Sequence, residues 1–303
     1  MAVLLMVGFY AFALAIAAGL LWIPYAEYNY LRRLDTRILI FSLAGAATIL
    51  WALVPRIDNF EAPGPRLTPS NAPHLFTMIH DVAKATSQPR PEDVYLLDDV
   101  NAWVAQRGGV MGFGSRRVMG IGLPLIKGLS PVELRSVIGH EFGHYVSGDV
   151  KLGPWIYKTP ATIARTLHGV SGNWILHQIF NWYARIFMRM TTQISREQEF
   201  VADATAARVA GTAPAISALK RVDVIAPAYS TYVSNEVMPV LQAGFLPPVS
   251  EGFERYMNDP DLHQVFQEYA KHAIGAEAGE FDAHPRTSER PEPHRSMLSA
   301  VLE

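Results

Sequence analysis

The chain has 303 residues, half of them apolar and only 18% charged, where a soluble domain carries roughly 25%. That balance, with a positive mean hydropathy, fits membrane contact or a large core within one big domain or two modest ones. A net charge of −2 without a long basic run argues against nucleic acid as a partner; the absence of cysteine excludes disulfides and thiolate metal sites, so any metal ion must be held by nitrogen and oxygen.

The first 26 positions, Met1 to Ala26, contain no charged residue, and roughly 20 apolar residues suffice to cross a bilayer. A cleaved secretory signal is the rival reading, but it needs a basic leader and a shorter apolar run; the first basic residue here is Arg32. A second uncharged run, Ile38 to Pro55, is 18 residues long and reaches about 27 Å as a helix. Trp22, Tyr25, Tyr28, Tyr30 and Trp51 stand near the ends of these runs, where aromatic rings favour the membrane interface. Residues 1–55 therefore read as two transmembrane helices, and the lipid bilayer as a partner. Arg32, Arg33 and Arg37 between the spans, against Arg56 and Arg66 after them, differ too little to orient the hairpin.

Residues 56–70 read as a proline-rich linker, because proline fixes φ and blocks helices. A globular domain follows over 71–303. Ser70 or Asn71 is expected to cap a helix through about Ala85. "DVYLLDD", "NAWVAQ" and "RVMGIGLPL" read as short strands, the last two joined by a glycine-rich turn. From Trp174 to Met190 the pattern is amphipathic, a bundle or surface helix with Trp174 and Trp182 read as core packing, contact with the membrane surface being the rival use. Further helices with proline breaks follow Thr212. The fold class is mainly α with a small β-sheet, an α+β domain behind an N-terminal two-helix transmembrane hairpin.

Within that domain, "LSPVELRSVIGHEFGHYVSGD" announces a helix. Ser130 is a good N-cap, Pro131 suits the first helical position, and Glu133 completes a capping box. With Gly148 as the stop, the helix runs for about 17 residues. His140 and His144 stand one turn apart on it and can aim their rings at one ion. Glu141 lies beside them, able to take a proton from a metal-bound water. A catalytic zinc keeps three protein ligands, so the motif needs a third. Downstream, "SREQEFVADATAA" places Glu199 and Asp203 on one helical face. One carboxylate can bind the metal, and the other can hydrogen-bond the far nitrogen of a ligating histidine.

These stretches, with "AHPRTSER" near the C-terminus and all in matching order, resemble the HtpX-like and CAAX-prenyl-protease-like membrane zinc metallopeptidases, which are gluzincins. The resemblance implies a zincin-type domain with one zinc ion per chain, held by His140, His144 and Glu199. It implies Glu141 as general base, Asp203 orienting a histidine ligand, and Arg196 bracing the Glu199 helix. It makes Asn101 and Ala102 part of an edge strand to which an extended peptide could add, and His284 and Arg290 candidates for the cleft or for holding the oxyanion. Pro291 departs from the family pattern. So does the segment between His144 and Glu199, which holds Lys151, Lys158, Arg165, Arg185 and Arg189 where relatives carry two more spans; its 55-residue interval still has room for a helical hairpin. The expected protein is an integral membrane endopeptidase of the cell membrane, acting on misfolded or membrane-tethered polypeptides. The alternative is a catalytically silent membrane scaffold or chaperone-like binder using the same cleft.

Overall fold

A computed structural model describes residues 2–54, 58–109, 114–146, 153–262, 265–266 and 268–269. The chain divides into two compact units. One comprises residues 1–59, 108–115 and 149–196; the other comprises 60–107, 116–148 and 197–303.

The first unit holds α1 (Ala2–Leu31), α2 (Thr36–Leu53), α6 (Gly153–Gly169) and the start of α7 (Trp174–Ala210). Asp35 starts α2 by accepting the Arg37 N–H at 2.8 Å, an N-cap that satisfies a donor the helix leaves open. Phe9, Ala13, Ala17 and Leu20 of α1 pack with Ala46 and Ile49 of α2, Ile163 of α6, and Leu176, Phe180, Ala184 and Phe187 of α7. Gly45 leaves room for two leucine side chains: a Cβ there would stand 3.1 Å from Leu20 Cδ1 and 3.3 Å from Leu176 Cδ1. Val7–Leu31 and Thr36–Leu53 are long and apolar enough to cross a membrane, with only 28% and 22% of their apolar windows buried. A core helix of a soluble protein would bury most of such a stretch. Trp22, Tyr25, Tyr28, Tyr30 and Trp51 are all exposed.

Trp174 and Trp182 do not pack in a core; they are 74% and 60% exposed. The buried stripe of α7 runs through Leu176, Phe180, Ala184 and Phe187. At 3.6 residues per turn, positions 174 and 182 point to the opposite side of that helix.

The second unit is built on a four-stranded sheet in the order β1 (Arg66–Leu67), β2 (Asp93–Leu97), β4 (Arg116–Gly122), β3 (Ala102–Arg107). The β2–β4 pair is parallel and the other two are antiparallel. The expected linker thus contributes a strand. Buried Asp93 is bonded by Arg66 and, at 2.9 Å, by Arg116. The expected cap of α3 (Pro73–Ala85) is not formed: Ala72 occupies the N-cap without a side-chain bond. Instead Asn71 accepts the Thr68 N–H at 2.8 Å, and the Ser70 hydroxyl meets that of Thr68. These short polar side chains close a turn, and Pro73 opens the helix.

After β4 come α4 (Leu123–Gly128), α5 (Pro131–Gly143), the end of α7, α8 (Thr212–Tyr232), α9 (Met238–Gln242) and α10 (Val249–Met257). Their core joins Ile79 and Val82 of α3, Met119 and Ile121 of β4, Ile138 and Phe142 of α5, and Ile225 of α8. Each fully buried side chain of this size contributes about 2 kcal/mol. The capping box of α5 forms as read: the Ser130 hydroxyl accepts the Glu133 N–H, and Glu133 accepts the Ser130 N–H at 2.8 Å. Glu133 also accepts the Ser217 hydroxyl at 2.5 Å, tying α5 to α8. Burial pushes the Glu133 carboxyl up, but the bonds from Ser217 and Ser130, with Arg221 nearby, outweigh it and hold the group below its ordinary value.

Candidate metal centre

Two helices of the second unit carry the site. His140 and Glu141 lie in the last turn of α5, and Glu199 and Asp203 lie on α7. Glycine lets the helices close. A Cβ on Gly143 would stand 2.5 Å from the Ala202 Cα and 3.0 Å from the Thr205 Cβ; one on Gly139 would stand 3.3 Å from the Ala206 Cα. Gly139 and Gly143 are four apart, as are Ala202 and Ala206, so a smooth strip on one helix meets a smooth strip on the other.

That approach brings the distant carboxylates onto the histidines. Asp203 Oδ1 lies 2.9 Å from His140 Nδ1. The carboxylate can only accept, so Nδ1 carries the proton and the Nε2 lone pair is left for a ligand. Glu199 Oε2 lies 3.5 Å from His140 Nε2, and its Oε1 lies 3.8 Å from His144 Nε2. The two rings stand at 89° with centroids 4.9 Å apart. Donor atoms of His140, Glu141 and His144 all lie within 4.8 Å of one another.

The donor set fits a metal ion. Two ligand atoms about 2.0–2.1 Å from a tetrahedral zinc stand roughly 3.3 Å apart, close to both Glu199–histidine spacings. Glu141, Glu199 and Asp203 are 7%, 4% and 5% exposed. Carboxylates this buried are costly to keep charged without a compensating cation.

Helix α5 is shorter than the sequence suggests, 13 residues ending at Gly143, with His144 as its C-cap in αR conformation. The His144 N–H still reaches the His140 carbonyl, at 3.4 Å, but Tyr145 and Val146 bond back to Phe142 and Gly143 instead. These i→i+3 bonds tighten the last turn. The one-turn spacing of the histidines survives; Gly148, the expected stop, lies outside the described residues.

Beside α5 runs β3, the end strand of the sheet. Asn101 lies one residue before it and Ala102 opens it. The Gly122 N–H donates to the Asn101 carbonyl at 2.8 Å, and the register pairs Ala102 with Ile121 and Val104 with Met119. Antiparallel alternation then turns the main-chain groups of Trp103 and Ala105 toward β4 and those of Ala102, Val104 and Gln106 toward the outer edge. One of those outward groups is engaged, since the Tyr145 hydroxyl donates to the Val104 carbonyl at 2.6 Å.

Of the other sequence-predicted residues, Arg196 lies in α7 with its side chain outside the description, and His284 and Arg290 lie outside the described residues. Sequence reasoning missed Gly139, Gly143 and Tyr145. The four-residue glycine spacing and a tyrosine directly after the motif were the available signals.

Paired histidines one turn apart, a glutamate between them and a carboxylate from a second helix make a candidate His₂-carboxylate metal centre of the HExxH class. The chain belongs to Peptidase family M48, which residues 69–296 match. It is 31% identical over 115 residues to Protease HtpX of Ectopseudomonas mendocina, covering 32% of this chain and 40% of that one. It is 28% identical over 160 residues to Protease HtpX of Hahella chejuensis, covering 46% and 53%. It is 30% identical over 115 residues to Protease HtpX of Pseudomonas aeruginosa strain UCBPP-PA14, covering 32% and 40%. The matches thus span about half the length of these relatives or less. No solved structure matches.

Proposed function

We propose that this chain is a membrane-anchored zinc endopeptidase, with residues 1–55 as its two-span anchor, 56–70 as a linker and 71–303 as the peptidase domain. The observation that carries the reading is Glu199, which stands 3.5 and 3.8 Å from the Nε2 atoms of two histidines more than fifty residues away. Membership of a peptidase family and likeness to proteins named Protease HtpX support it. One zinc per chain would be held by His140, His144 and Glu199, with Asp203 fixing the His140 tautomer and Arg196 bracing the α7 segment.

When bound, the ion would supply Lewis-acid polarisation of the scissile carbonyl and lower the pKa of a water at its open position. Glu141 takes the proton of the attacking water and passes it to the leaving amine. Its burial beside the histidines keeps bulk water from competing for that proton. Ala102 and the outward edge of β3, entered from Asn101, align an extended peptide by main-chain hydrogen bonds, which reads backbone rather than sequence. His284 and Arg290 are the candidates for stabilising the oxyanion. Such loose selection suits a quality-control protease of the cell membrane whose substrates are misfolded or membrane-tethered polypeptides.

The test is Glu141→Gln in the full chain, with zinc content and casein hydrolysis measured together. The variant should keep one zinc per chain and lose at least a hundredfold in rate. Near-normal proteolysis would sink the assigned base. A wild-type chain that binds zinc but cleaves nothing would favour a silent, binder-like protein.

A further inference from the structure

We infer that Tyr145, the residue after the second histidine, is a positioning residue that fixes His144 against the outer edge of β3. The inference rests on the metal reading above. Helix α5 does not hold His144 alone, because regular α-helix stops at Gly143 and the histidine sits on the tightened turn beyond it. A ligand on such a turn needs an external brace to keep its ring aimed at an ion.

Tyr145 supplies the brace through three groups, each gripped by a different part of the fold. Its hydroxyl donates to the Val104 carbonyl of β3 at 2.6 Å. Its carbonyl accepts from the Gln88 side-chain amide, beyond α3, at 3.3 Å. Its ring lies under the Arg117 guanidinium of β4, 4.5 Å from the centroid. Arg117 is itself 3% exposed and donates to the Pro89 carbonyl at 2.9 Å. A residue held at hydroxyl, carbonyl and ring face cannot turn without breaking one of these contacts, and its peptide bond is shared with His144.

The hydroxyl also ends the pairing edge. Ala102, Val104 and Gln106 present main-chain groups outward, and the Val104 carbonyl is occupied. An extended peptide adding to β3 from Ala102 therefore finds the Val104 carbonyl already taken, and continuous pairing ends there, before Gln106. One side chain thus sets both the second ligand and the end of the substrate-pairing strand.

The experiment uses Tyr145→Phe, which removes only the hydroxyl, and Gln88→Met, which removes only the amide. Zinc affinity is measured on the full chain by competition with a chromophoric chelator. The cobalt(II) visible spectrum is recorded in parallel, free of thiolate bands because the chain has no cysteine. Tyr145→Phe should weaken zinc about tenfold and shift the cobalt band, with the metal-free melting temperature little changed; Gln88→Met should give a smaller loss in the same direction. Zinc affinity within twofold of wild type and an unshifted cobalt band in both variants would overturn the inference, whether or not the melting temperature fell. If the wild-type chain itself takes up no zinc, the metal reading fails first and this inference with it.

Discussion

At His140 both ring nitrogens are committed. Nδ1 donates to Asp203 at 2.9 Å, and Nε2 faces Glu199 at 3.5 Å. An aspartate bonded to Nδ1 favours the tautomer that holds its proton there and leaves Nε2 free to bind, which is the role proposed for Asp203. Asp203→Asn keeps the size but removes the charge that favours this arrangement. The expected result is about tenfold weaker zinc binding, read by chelator competition, with the fold retained. An unchanged affinity would show that the carboxylate serves packing alone. The division of labour between Glu199 and Asp203 was open in the E-x-x-x-D spacing. The resemblance implied one assignment, and in the structure Asp203 lies on Nδ1 while the two Glu199 oxygens face the two Nε2 atoms at 3.5 and 3.8 Å.

At the scale of elements, α5 and the end of α7 meet through glycine and alanine. A glycine inside a helix costs about 1 kcal/mol against alanine, so Gly139 and Gly143 look like weaknesses when α5 is read alone. Their use appears only beside the partner strip: any Cβ at 143 would press on the Ala202 backbone at 2.5 Å, and backbone cannot swing aside. Gly143→Val should cost about 2–3 kcal/mol by overpacking and weaken zinc, because prying α7 away carries Glu199 with it. Gly172→Ala, with nothing within 4 Å of its Cβ, is the control and should leave both untouched. Thermal unfolding and metal content check the pair. Signals local to one element were read correctly, as with the capping box of α5. The α3 cap was misplaced because Ser70 and Asn71 suit a turn as well as an N-cap, and the turn's hydrogen bonds to Thr68 took them first.

For the whole molecule, the long apolar helices set the expected behaviour. Val7–Leu31 and Thr36–Leu53 leave most of their surface uncovered, with aromatic side chains exposed near their ends. Such faces are stable in lipid and aggregate in water. The full chain should therefore stay in the membrane pellet through high-salt and alkaline washes and leave only with detergent. Release by alkaline wash would show that the apolar faces are covered by protein. Between His144 and Glu199 the described residues form α6 and most of α7, two successive helices in an interval whose length left room for a hairpin. The outward positions of Trp174 and Trp182 show why composition misled: an aromatic residue in an amphipathic run reads as core until the buried stripe is known.

The sequence by itself determined what depends on neighbours along the chain: helix starts at capping residues, strands from alternation, apolar length, and two histidines one turn apart around a glutamate. Tertiary structure decided what depends on distance through space. It set how closely α5 and α7 approach, which carboxylate faces which nitrogen, where α5 stops, and which outward carbonyl of β3 is already taken by Tyr145. The reason is physical: hydrogen-bonding periodicity along a chain is local, whereas a ligand set is made by packing two surfaces whose complementarity neither segment displays alone.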